Sequence, residues 1–243
     1  MVKTNHLHQN DSELYHDPVS YRQLVGRLLY LTNTRLDITF VVQQLMQFMV
    51  VPTVLHHKAM TRVLRYIKGT PGQGLLYSPT STIQIKGFSD SDWATCPDTR
   101  KSISGYSMFL GDSLVSWKSK KQNTVSRSSS EAEYRALAIA SCEIQWLIYL
   151  LNDFQVLYKH PALLYCDNNS ARYIAANAVF HECTKHVEID CHVIRERLNN
   201  KLLHLLPIST SAQVADIMTK PLEPTLFKNN LSKLGVINIH LPA

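Results

Sequence analysis

The apolar positions change period once along the chain, and the change divides it. From Tyr21 to Ile67 they recur at helical spacing. Leu24, Leu28 and Leu31, with Val25 and Leu29 beside them, predict a first helix from about Tyr21. Ile38 to Met49 predicts a second. His56 to Ile67 predicts a third, with Met60, Val63, Leu64 and Ile67 on one face. The stretch from Gly69 to Gly74 reads as a turn or linker. Residues 1 to 16, polar and rich in histidine, read as a loose leader.

Beyond residue 80 the pattern turns to strands. Ile83 to Asp90 predicts one. Ser104 to Leu110 and Leu114 to Trp117 predict two more, joined at Gly111-Asp112, where Gly in the first turn position fits a type II′ hairpin. A long helix is expected from Ser130 to Phe154, then a short strand from Pro161 to Asp167. Helices over Ser170 to Asn177 and Asp190 to Asn199, a strand over Leu202 to Ile208, and a helix from Ala212 to Lys220 stopped by Pro221 complete the series. Strands first, then alternating helix and strand, imply an α/β fold with a mixed sheet and helices packed on it.

Composition narrows the partners. The 243 residues are 45% hydrophobic and 18% charged, which excludes a disordered chain. The formal charge of +6 favours polyanions but says nothing about fold. The five cysteines, Cys96, Cys142, Cys166, Cys183 and Cys191, are odd in number and form no C-x-x-C pair. They argue against a disulfide framework or a disulfide-linked partner, and for a reducing, intracellular compartment. The most membrane-like stretch, Ile38 to Leu55, is interrupted by Gln43, Gln44 and Gln47 and broken at Pro52, so it reads as a buried helix and no membrane is expected. His181, His186 and His192 lie near Cys183 and Cys191 without zinc-ligand spacing, and are read as surface or structural histidines.

Four acids carry the chemistry. Asp90 ends the first strand, Asp167 ends a later one, Glu133 opens the long helix and Asp216 lies in the last short helix. Loops beyond strand ends are where α/β sheets place their sites. From Glu133 the residues at helical spacing are Ala136, Leu137, Ala140, Ile144 and Ile148, so Glu133 is on the core stripe. Glu131, about 200° away, shares a face with Arg135 and Gln145 and is expected to be solvated. Ser130 and Glu133 have capping-box spacing, a role that does not require a core-facing Glu. Carboxylates that converge repel each other unless a divalent cation neutralises them. Hard cations such as Mg²⁺ take such oxygens, and a pair of them assists phosphodiester displacement. Four acids on a basic chain therefore suggest metal-assisted cleavage of nucleic acid.

The runs Ser89 to Tyr106, Val115 to Gln122, Ser128 to Leu137, Tyr165 to Ala171 and Gln213 to Lys220 resemble the ribonuclease H domain of copia-type LTR retrotransposon Pol polyproteins. Thr184-Lys-His-Val-Glu-Ile-Asp190 does so too. Tyr21 to Tyr30 and Arg62 to Gly69 look like the segment that joins a reverse transcriptase to that domain. The resemblance implies a five-stranded mixed sheet flanked by helices, preceded by a small helical segment. The implied division is a connection segment over 1–80, a ribonuclease H-like domain over 81–222 and a tail over 223–243. It implies cleavage of the RNA strand of RNA–DNA hybrids, with two Mg²⁺ ions (or Mn²⁺) held by Asp90, Glu133, Asp167 and Asp216. Asp92 is a weaker candidate beside Asp90. The reverse transcriptase portion of the same polyprotein is the implied partner. Lys118, Lys120, Lys121 and Arg127, just before the Glu133 helix, are candidates for gripping the hybrid's backbone.

The sequence departs from the family pattern in places. Leu36 stands where Pro is usual, Thr95 where Gly is usual, and Ile208 to Gln213 lacks a histidine that ribonucleases H often carry. Two other readings stand beside the enzyme: an inactive Pol fragment that only binds nucleic acid or serves a structural role, and a DDE-type integrase or transposase. The second position of Glu among the acids argues against the integrase.

Overall fold

The protein is described here from a computed structural model, over residues 7–10, 12–177 and 188–240. Helix α1 spans Pro18–Leu31. It starts three residues before the predicted onset because Asp17 caps it, accepting from the Ser20 amide at 3.0 Å, and Pro18 occupies the first turn. A 3₁₀ turn at Leu36–Ile38 leads into α2 (Thr39–Met46), and α3 covers Val54–Gly69. Tyr21, Val25 and Leu28 of α1 pack against Ile38, Val42 and Leu45 and against Met60 and Val63. This is the core of the helical segment.

The described part of the leader is pinned rather than loose. The Tyr15 amide bonds the Pro52 carbonyl and the Val54 amide bonds the Glu13 carbonyl, both at 2.9 Å. The Tyr15 ring stacks on His57 with centroids 4.2 Å apart. The start of α3 presents backbone partners there, and polar composition gave no sign of them.

The expected linker is likewise bound. Arg35, 7% exposed, pairs with Asp37 at 2.7 Å and donates to the Thr70 carbonyl at 3.0 Å, while the Tyr66 hydroxyl donates to Asp37. Strand β1 (Gln73–Leu75) follows.

Strands β2 (Ile85–Asp92), β3 (Ile103–Leu110) and β4 (Ser113–Lys121) form an antiparallel meander. Gly111 at the β3–β4 turn has φ 63°, as a type II′ turn requires. The long helix α4 (Ser129–Asp153) leads to β5 (Ala162–Cys166), which pairs parallel with β2. Helices α5 (Asn169–Ala176) and α6 (Glu188–Asn199) precede β6 (Leu203–Pro207), parallel to β5. The sheet order is β4-β3-β2-β5-β6. This is the mixed five-stranded sheet flanked by helices that the resemblance implies.

The predicted helix from Ala212 to Lys220 is a 3₁₀ turn at Thr210–Ala212 and a four-residue helix α7 (Asp216–Thr219). Gln213 between them is extended. Its side chain donates to the Ser89 carbonyl at 3.0 Å and accepts from the Ala215 amide, so the chain is tied to β2 instead of continuing a helix. Residues 223–243, read as a tail, include helix α8 (Pro224–Lys233) and strand β7 (Val236–Asn238), which pairs antiparallel with β1.

Strand alternation gives the sheet two buried faces. Ile85, Tyr106, Met108 and Leu164 meet Leu137 and Ile144 of α4. On the other face Phe109 and Leu114 meet Ile217, Met218, Leu231 and Leu234, with Phe88 and Trp117 packed alongside. Leu36 of the helical segment is buried in this second cluster, and the Trp117 indole donates to the Thr32 carbonyl at 3.0 Å. The segment therefore packs on the β4 edge of the sheet. Among the described residues Cys96, Cys142, Cys166 and Cys191 are free thiols, and no helix is long and apolar enough to cross a membrane.

Candidate active site

The four acids arrive from four elements. Asp90 is near the end of central strand β2 on the face covered by α7, and is 1% exposed. Asp167 follows β5, the parallel neighbour of β2. Asp216 opens α7 and Glu133 lies in the first turns of α4, each 6% exposed.

Local sequence explains each placement. Helix α4 begins one residue before the predicted start, and its N-cap is Ser128, whose hydroxyl accepts from the Glu131 amide at 3.1 Å. Glu131 in turn accepts from the Arg127 amide at 2.8 Å and pairs with Arg135. The capping spacing is thus used by Ser128 and Glu131, not by Ser130 and Glu133, and Glu131 is half-buried rather than solvated. Glu133 is left on the core stripe with Ala136, Leu137, Ala140 and Ile144, all buried.

Two further residues, not singled out from sequence, fix the frame. Gly105 on β3 is directly opposite Asp90. A Cβ there would come within 2.6 Å of Met218 Cβ and 2.8 Å of Thr219 Cγ2, so the bare backbone is what lets α7 approach β2. Gln122, at the end of β4, donates to Ser104 and to the Ala132 carbonyl, both at 2.9 Å, and accepts from Ser126. It locks the start of α4 onto the sheet. The Trp93 indole donates to the Ser126 carbonyl at 3.0 Å and joins the loops after β2 and before α4.

The electrostatics divide the cluster into two halves. On one side, ligand atoms of Glu133, Cys166 and Asp167 all lie within 4.8 Å of one another. Glu133 Oε2 is buried with no hydrogen-bond partner. Burial, then the charges of Asp90 and Asp167, push the Glu133 carboxyl up to about 9. The Cys166 thiol is pushed above its ordinary value by burial and by Glu133, so it stays protonated and the oxygens are the ligands on offer. Thr210, in the loop where a histidine was not found, donates to Asp167 at 3.1 Å. Oxygen donors of this kind suit a hard divalent cation, and the unpartnered Glu133 oxygen fits one.

On the other side, Lys220 Nζ is 3.1 Å from Asp90 Oδ1 and 2.8 Å from Asp216 Oδ1, and the Thr219 hydroxyl donates to Asp90 Oδ2. Burial and Asp90 push the Asp216 carboxyl up to about 6, with Lys220 opposing.

The basic candidates separate. Lys118 and Lys120 are exposed on edge strand β4, and Arg127 is exposed before α4. Lys121 is half-buried, donating to Gln47 at 2.8 Å and to the Cys96 thiol at 2.9 Å. It clasps the helical segment to the loop after β2. Asp92 ends β2 and is half-buried. His181, Cys183 and His186 lie outside the described residues. Cys191 is buried and His192 exposed, and among the described residues Glu133, Cys166 and Asp167 form the one group spaced to hold a metal.

No family model matches the chain. Among solved structures it is similar to LC11-RNase H1 in complex with RNA/DNA hybrid (TM-score 0.42, 16% identity, covering 56% of this chain and 94% of that one). It is also similar to RNase H1 from Halobacterium salinarum NRC-1 (TM-score 0.38, 16% identity, covering 56% and 94%). In sequence it is 45% identical over 223 residues to the retrovirus-related Pol polyprotein from transposon RE1 of Arabidopsis thaliana. It is 36% identical over 203 residues to that from transposon TNT 1-94 of Nicotiana tabacum. These matches take in 92% and 83% of the chain, which spans only 15% of either polyprotein. The ordered motifs, the mixed sheet and this identity agree, and the chain belongs to the Pol polyproteins of copia-type retrotransposons.

Proposed function

We propose that this chain is the ribonuclease H of its element, a metal-dependent endonuclease that cuts the RNA strand of an RNA–DNA hybrid during reverse transcription. The observation that carries the reading is the buried, unpartnered Glu133 oxygen among acids drawn from four separate elements. A carboxylate so placed is costly unless a cation compensates it.

Asp90, Glu133 and Asp167 would hold one Mg²⁺, and Asp90 and Asp216 a second. Mn²⁺ would serve in their place. Bound there, such ions neutralise the phosphate and lower the pKa of water. The residues do the rest. Glu133 gives up the proton that burial keeps on its carboxyl. Thr210 and Thr219 orient Asp167 and Asp90 through their hydroxyls. Lys118, Lys120 and Arg127 hold the hybrid's backbone, and contacts to 2′-hydroxyls choose the RNA strand. The helical segment over 1–80 is the connection to a reverse transcriptase portion of the same polyprotein, and its packing on β4 supports that reading.

The test is cleavage of a labelled RNA–DNA hybrid by the purified chain, with Mg²⁺ or with chelator, alongside Glu133→Gln. Metal-dependent cutting of the RNA strand by the parent, lost in the variant, is expected. No cleavage by the parent overturns the activity. Equal cleavage by Glu133→Gln overturns the site.

A further inference from the structure

Lys220 belongs to neither the acids nor the backbone-gripping residues, yet its ammonium lies between Asp90 and Asp216. We propose that Lys220 is a built-in counter-ion seated on the second cation's ligands, so that a divalent ion enters the Asp90–Asp216 half only by displacing it. The proposal rests on the metal-site reading above.

The two halves of the cluster are unequal. Asp90 has both oxygens engaged, Oδ1 by Lys220 at 3.1 Å and Oδ2 by the Thr219 hydroxyl. Asp216 Oδ1 accepts from the same ammonium at 2.8 Å. One ammonium thus already neutralises an oxygen of each acid that the second cation would share. On the other side the buried Glu133 Oε2 has no competing donor. A cation arriving at the protein therefore meets Glu133 and Asp167 clear of any ammonium, and Asp90 and Asp216 already neutralised by one.

Lys220 is built to leave, and Thr219 is not. Thr219 is 0% exposed, packed where Gly105 makes room for it. Lys220 is the C-cap of α7, with extended backbone at φ −128° and ψ 147°, and its side chain is 30% exposed. A four-carbon stem with a compact ammonium can swing outward without moving the helix. Once out, the charge remains at the rim of the cluster, where the phosphate of a bound nucleic acid would meet it. Lys220 is thus a positioning residue. It holds the acids together before the second ion arrives and makes that ion's entry conditional.

The count and affinity of bound Mn²⁺, read from the free-ion electron spin resonance signal, test this without any cleavage assay. The parent chain is expected to hold one ion tightly and a second about tenfold more weakly or worse. Lys220→Met and Lys220→Gln are expected to tighten the second ion about tenfold, and Lys220→Arg to keep the parent pattern. Glu133→Gln should lose the tight ion and Asp216→Asn the weak one. Two equal sites in the parent overturn the displacement with no variant needed. So does an unchanged second site in Met or Gln variants whose circular dichroism matches the parent. In both cases the metal site itself stands. A parent that binds no Mn²⁺ overturns the metal-site reading and the displacement with it.

Discussion

Gly105 lies directly opposite Asp90 in the β2–β3 ladder, and the space its missing side chain leaves is filled by Met218 and Thr219. The acid and the helix that covers it are thus brought together by a residue with no chemistry of its own. A side chain at position 105 has nowhere to go but into α7. Gly105→Ala is expected to cost about 1–3 kcal/mol through overpacking. It should lift α7 so that Mn²⁺ affinity falls even at temperatures where the variant remains folded. Denaturant unfolding and metal titration of the same sample check both parts.

Glu133 makes stability depend on pH in a stated direction. With its carboxyl raised to about 9, the folded chain keeps a proton that the unfolded chain gives up near its ordinary value. The folded state therefore binds more protons through that window, and stability falls as pH rises from roughly 5 to 9. Asp216, raised to about 6, adds to the acid end of the window. In chelator, the thermal midpoint of the parent should drop across this range while that of Glu133→Gln drops less. Adding Mg²⁺ at neutral pH should release protons into a weakly buffered solution. A midpoint that rises with pH would contradict the assignment.

The basic residues should sort by exposure. Lys118→Ala, Lys120→Ala and Arg127→Ala are each expected to weaken hybrid binding and to reduce the salt slope by about 1, with stability unchanged. Lys121→Met is expected to do the reverse, costing about 1 kcal/mol of stability by losing its bonds to Gln47 and Cys96, with the salt slope retained. Filter binding over a salt series, paired with thermal unfolding, separates the two classes.

The cap of α4 gives a cleaner contrast. Ser128→Ala should cost about 1 kcal/mol and Ser130→Ala close to nothing, because the hydroxyl of Ser128 is the one that accepts the helix's free amide. Chemical denaturation of the two single variants decides it.

The elements of the sheet and the inward direction of Glu133 were legible because both follow from periodicity. Apolar residues every three or four positions point a helix face, and the acid falls on that face whatever the tertiary structure. Gly105, Gln122, Thr210 and Lys220 were not legible by the same means. Each works through a partner distant in sequence, such as Gln122 with Ser104 or Thr210 with Asp167, and no local pattern marks a long-range fit. The helix expected from Ala212 failed for a related reason. Its residues favour a helix, but the Gln213 side chain is held by the Ser89 carbonyl, and that tertiary bond outweighs local preference. The pinned leader shows the same rule, since Tyr15 and Glu13 find their partners at the start of α3.

The pairing of β1 with β7 joins strands separated by the whole five-stranded sheet, with Gln73 beside Asn238. During synthesis β1 leaves the ribosome long before its partner exists. The apolar surface around Phe109, Leu114 and Trp117 likewise waits for Leu231 and Leu234 of the last helical region. Contacts this distant in sequence form late. A nascent chain stalled before residue 224, or a polyprotein cut there, would present that surface to chaperones and proteases. Burial of the second core therefore waits for residues beyond 223, and a chain interrupted before them leaves one face of its central sheet uncovered.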